Sequence, residues 1–110
     1  MKVVEPNVSY RKKVNMLWYC RYTWHHHTTR EQVAARVVKQ HDAGANQQDK
    51  IRGWYDLAGG GAGFLMIETD DPQDVTDILQ PYLDLMNIDV HAVIENDYDS
   101  TIERLRDVAG

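Results

Sequence analysis

The sequence predicts an α+β fold of chain order β-α-β-β-α-β with one added helix, and three observations predict it. Four runs of alternating or aromatic-rich character, at residues 14–24, 51–57, 63–69 and 87–95, have the length and composition of strands. Two segments with helix-start signals and apolar stripes of 3.6-residue period separate the first run from the second and the third from the fourth. A glycine run, Gly59-Gly60-Gly61, joins the middle two as a hairpin. Right-handed crossovers then put both helices on one face of a four-stranded antiparallel sheet, the ferredoxin-like arrangement.

The first strand, VNMLWYCRYTW, is too short for a buried helix and has no helical stripe. Val14, Met16, Trp18, Cys20, Tyr22 and Trp24 share one face; Leu17, Tyr19, Arg21, Thr23 and His25 share the other. Thr29 then caps a helix, with Gln32 at the reciprocal capping-box position, and Val33, Ala34, Val37, Val38 and His41 fall on one helical side. Ala43-Gly44 ends it, and residues 45–50 form a polar loop. On the second strand, IRGWYDL, simple alternation puts Arg52, Trp54 and Asp56 on one face. After the third strand, Asp71 and Pro72 open a second helix, with Asp74 and Asp77 near its positive end. Its inward stripe is Val75, Ile78, Leu79, Tyr82 and Met86, and Pro81 should kink it or end it early. Ile88, Val90, Ala92 and Ile94 share a face of the fourth strand. In the tail, Ser100 and Glu103 form a capping box, and Tyr98, Ile102, Leu105 and Ala109 have helical spacing. The expected organisation is a flexible arm over residues 1–13, an α+β domain over 14–97 and an amphipathic helix over 98–110.

A chain of 110 residues supports one core. With 43% hydrophobic and 26% charged residues it lies well away from the disordered class. Seventeen acidic against twelve basic side chains give a net charge of −5, which argues against nucleic acid as a partner. No secretory signal pattern and no membrane-length apolar run is present, so the expectation is a cytoplasmic protein without a membrane partner. The single Cys20 allows neither an internal disulfide nor a thiolate zinc site. Helices on one face leave the other sheet face bare and rich in large apolar groups, which predicts a homodimer with the sheets packed face to face. The alternative is that the C-terminal helix folds back over its own sheet.

The first strand with Met16-Leu17-Trp18-Tyr19-Cys20, the second with Gly53-Trp54-Tyr55-Asp56-Leu57, the run Glu68-Thr69-Asp70-Asp71-Pro72 and the last strand Ile88 to Val93 resemble a family of short bacterial proteins of unknown function. That family belongs to the dimeric α+β barrel group of ferredoxin-like folds. The resemblance implies a homodimer with a cavity between helices and sheet. The group includes cofactor-free monooxygenases, haem-degrading enzymes, lactone isomerases and ligand-sensing modules, so the fold does not choose the function.

Several side chains are candidates for chemistry. His25 and His27 share a side of an extended segment and could hold a metal, but adjacent histidines without a spaced third ligand read better as a solvated turn. His41 is either a base or hydrogen-bond partner in a helix–sheet cavity or a helix C-terminal cap, the second being favoured. Tyr82 divides in the same way between ligand donor and core. Trp54 and Asp56 beside Gly53 form either a pocket wall with a carboxylate or a cross-strand aromatic with a hairpin-mouth acid. Glu68 is either a buried proton acceptor or the partner of Arg52 or His91. The glycine run lacks the Lys-Ser/Thr of a phosphate loop, and Cys20 reads as an inert buried thiol.

The expected function is binding of a small hydrophobic molecule, fatty-acid-like or aromatic, with no cofactor. Trp18, Tyr22, His41, Trp54, Asp56, Met66, Glu68, Tyr82 and His91 are the candidate ligand-binding residues. The alternative is a cofactor-independent monooxygenase or isomerase using a histidine or carboxylate as proton acceptor.

Overall fold

The computed structural model of the protein describes residues 16–110. The arm expected over residues 1–13 and the first two positions of the expected first strand lie outside that range. The chain runs β1 (Leu17–Trp24), α1 (Arg30–Asp42), β2 (Ile51–Asp56), β3 (Ala62–Glu68), α2 (Pro72–Leu79), β4 (Met86–Val93) and α3 (Tyr98–Ala109). These elements make an α+β protein with three helices and a four-stranded sheet of order β2-β3-β1-β4, every neighbouring pair antiparallel. No helix among the described residues is long and apolar enough to cross a membrane.

The alternation of β1 decides where the core sits. Trp18, Cys20 and Tyr22 lie opposite Ile67, Leu65 and Gly63 of β3 and opposite Ala92, Val90 and Ile88 of β4. This is the face that receives the helices: Cys20 and Ile67 are fully buried and pack with Val75, Ile78 and Leu79 of α2. A second cluster joins Tyr22 to Tyr82, Leu85 and Met86, with Val33 and Val37 of α1 resting against it.

The caps follow from local chemistry. Thr29 and Gln32 close a reciprocal capping box at the start of α1. Asp71 caps α2 with Pro72 in its first turn, and α2 ends at Leu79, where Pro81 forces a single 3-10 turn over Gln80–Tyr82. Met86 therefore does not extend the helical stripe. It opens β4 and reaches the same core from the sheet side.

Two expectations are corrected at the C-terminus. The cap of α3 is Asp97, whose carboxylate accepts the Ser100 amide at 3.0 Å, so Ser100 is already in the first turn and the expected Ser100–Glu103 box does not form. Ile94 lies beyond the end of β4 and is exposed. No residue of α3 is buried, and Tyr98 and Val108 are 77% and 79% exposed, so this helix does not serve as the cover of its own sheet.

β2 carries a third correction. Ile51 pairs with Ile67 but Gly53 pairs with Met66, so one extra residue is inserted and the strand bulges at Arg52. The bulge breaks the alternation that grouped Arg52 with Trp54 and Asp56. Trp54 and Asp56, opposite Leu65 and Gly63, stay on the helix side, while Arg52 pairs with Glu68 on the open face.

Candidate functional site

Between α1 and the helix-side face of the sheet lies an open cavity of about 460 Å³. That volume is within the ~300–1,000 Å³ of small-molecule sites. It exists because α1 is tied down along one edge and meets the core through Val33 and Val37 without burying either. None of its thirteen residues is buried. The Arg36 guanidinium makes a two-pronged pair with Asp84 at 2.7 and 3.0 Å and also donates to the Pro81 carbonyl. Asn46, just past the helix, donates to the Val37 carbonyl at 3.2 Å and accepts the Tyr82 hydroxyl at 2.6 Å. Just before the helix, Thr28 donates to the Leu85 carbonyl at 2.6 Å. These bonds hold α1 against the connection before β4, and Val33 and Val37 line the cavity facing Leu65, Met86 and Ile88 of the sheet.

One corner of this apolar space is polar. The Tyr22 hydroxyl donates to the Asp56 carboxylate and accepts from the Trp54 indole Nε1 at 3.1 Å. Tyr22 stands on β1 and Asp56 on β2, two strands away, with Gly63 of β3 paired to both. A β-carbon at Gly63 would collide with the Tyr22 hydroxyl and the Tyr55 carbonyl, so the absence of a side chain there lets the phenol cross β3. Burial, ahead of the bond to Asp56, pushes the Tyr22 phenol up to about 12, with Trp54 pulling the other way. Burial also raises Tyr82, opposed by its bond to Asn46 and by the charge of Arg36.

Five of the nine candidate residues border the cavity: Tyr22, His41, Trp54, Asp56 and Tyr82. His41 lies in the last turn of α1, exposed at the rim. Trp18 is on the same sheet face but packs into the core cluster, and its indole donates to the Thr69 carbonyl at 3.0 Å. Met66, Glu68 and His91 are on the opposite face: Tyr19 pairs with Met66 and His91, and Leu17 with Glu68. Strand parity alone separates them from the cavity. Glu68 is the ion-pair partner of Arg52, the second of the two roles weighed for it. His25 donates to the Leu83 carbonyl at 3.1 Å, His26 stacks edge-on with His27, and among the described residues no three His, Cys, Asp or Glu side chains converge as a metal site.

Sequence reasoning missed Gly63 and Asn46. In the sequence Gly63 is only the first residue of the third strand, and the strand register alone aligns it with Tyr22 and Asp56. Asn46 lay in a loop read simply as polar; its one signal is an amide two residues past Gly44, which ends the helix.

Fold and site together define a small α+β protein with an open, mostly apolar cavity between a helix and an antiparallel sheet, with hydrogen-bonded polar groups at Tyr22–Asp56–Trp54 and at Tyr82–Asn46. The chain belongs to the family described as a domain of unknown function (DUF3303), whose model matches residues 16–104. It matches no curated protein.

Proposed function

We propose that the protein binds a small, largely apolar molecule in the cavity between α1 and the sheet. The observation that carries this reading is the 460 Å³ space beneath a helix that buries none of its own residues. A helix with valines on its inner side gains by closing onto a sheet at ~25 cal/mol per Å² of apolar surface removed from water, and a ligand supplies the missing contact. The expected result is a molecule released on denaturing extraction of the isolated protein, or a raised melting temperature with an apolar probe. Val37→Trp, which fills the space, should abolish that shift while leaving the circular dichroism unchanged. A probe that binds the variant equally well sinks the proposal.

The proposed unit is a ferredoxin-like homodimer of the α+β barrel type, acting in the cytoplasm. The strand order β2-β3-β1-β4 supports the fold, and the free thiol Cys20 fits the location. The open sheet face supports the dimer. Tyr55 stacks on Phe64 at 4.9 Å between centroids, Phe64 meets Tyr19 at 5.4 Å, and Tyr19 meets His91 at 6.5 Å, a row of rings across all four strands. A second copy is the proposed cover for that row. Binding is preferred over proton-transfer catalysis because, of the groups weighed as proton acceptors, Glu68 lies on this open face away from the cavity and His41 is exposed at the rim.

A further inference from the structure

The polar groups of the cavity discriminate between classes of apolar molecule. Among the described residues no lysine or arginine lines it, and Asp56 is the one carboxylate in that lining. Among the described residues, Arg36 is engaged by Asp84 and the Pro81 carbonyl, Arg52 by Glu68 on the open face, and Lys50 lies 3.9 Å from Asp49. The donors of the polar corner are spent as well. The Trp54 indole goes to the Tyr22 hydroxyl and the Tyr22 proton to one oxygen of Asp56. On the α1 side the Tyr82 proton goes to Asn46. What the corner offers a ligand is the second oxygen of the Asp56 carboxylate and the indole face of Trp54, which is 57% exposed at the mouth. A carboxylate head group placed there meets like charge, and the one basic side chain in the described lining, His41, stands at the exposed rim in the last turn of α1. An ammonium group meets a carboxylate and an aromatic face at once.

We infer that the cavity takes an apolar molecule bearing a protonated amine, with the ammonium on Asp56 beside Trp54 and the apolar body along Val33, Val37 and Leu65. This inference rests on the proposed binding role of the same cavity. It selects against the fatty-acid-like ligand that composition alone allows.

The test compares decylamine, decanol and decanoate by calorimetry at about 0.15 M salt, where the net charge of the surface is screened. The chains are identical, so only the head group differs. The expected order is amine, then alcohol, then carboxylate, with the amine about tenfold or more tighter than the carboxylate, as for a charge-assisted bond. Asp56→Asn keeps an acceptor for Tyr22 and should bring the three ligands close together. The ordering in the unaltered chain needs no variant. Decylamine binding no tighter than decanol or decanoate overturns the amine inference and leaves the cavity reading in place. Failure of all three to bind, decanol included, overturns both.

Discussion

The Tyr22 hydroxyl reaches over Gly63 to donate to Asp56, so one hydrogen bond spans three strands of the sheet. Gly63→Ala tests the space this requires. The new β-carbon would overlap both the phenol and the Tyr55 carbonyl, and backbone cannot move aside cheaply. The expected loss is about 1–3 kcal/mol, the range for overpacking a filled site, read from the urea midpoint. An unchanged midpoint would show that the phenol does not lie where it is described.

The same bond makes a pH signature. With its phenol near 12 against an ordinary value of 10, Tyr22 holds its proton in the folded state after the unfolded chain has lost it. Its contribution is therefore complete below pH 10 and disappears as pH rises from 10 towards 12. The stability difference between the unaltered chain and Tyr22→Phe should shrink across that window. Absorbance at 295 nm should show a late tyrosine titration that the substitution reduces by one residue, the part from Tyr82 remaining.

The attachment of α1 rests on Arg36 and Asp84. The guanidinium holds the Asp84 carboxyl below its usual value, so the pair contributes above the ordinary carboxylate range and is lost as pH falls through the lowered value. Arg36→Ala should speed amide hydrogen exchange throughout α1 while leaving β1 and β3 unchanged. Equal exchange in both chains would mean that other contacts hold the helix.

Cys20 has no exposed surface, and burial pushes its thiol up to about 11. Ellman's reagent at pH 8 should react with it only at the rate of unfolding, and fully in denaturant. Rapid reaction in buffer would contradict the packing of β1 against α2.

The aromatic row on the open face gives the proposed dimer a direct test. Tyr19→Glu puts a charge at its centre, between Phe64 and His91, and should halve the mass seen by sedimentation while the helix-side core stays folded. A mass unchanged by that substitution would place the interface elsewhere.

The reach of the sequence differed from element to element. Thr29 with Gln32, Asp71 with Pro72, and Pro81 act within one turn of chain, so capping chemistry alone located both helix starts and the early end of α2. At α3 the local signal misled by one turn, because Asp97 and Ser100 are both competent caps and the backbone chose the first. Alternation in β1 correctly grouped Trp18, Cys20, Tyr22 and Trp24, yet two faces of similar apolarity left open which one met the helices.

The sequence by itself determined the order of the elements, the caps of α1 and α2 and the alternation of β1, since all of these depend on near neighbours in the chain. Tertiary structure decided the site. The bulge at Arg52 kept Trp54 and Asp56 on the helix side while sending Arg52 to Glu68, and register brought Gly63 between Tyr22 and Asp56. Parity then removed Met66, Glu68 and His91 from the cavity. Each outcome depends on how one strand slides against another. A slip of a single residue exchanges the two faces, and no local pattern within a strand records the position of its partner.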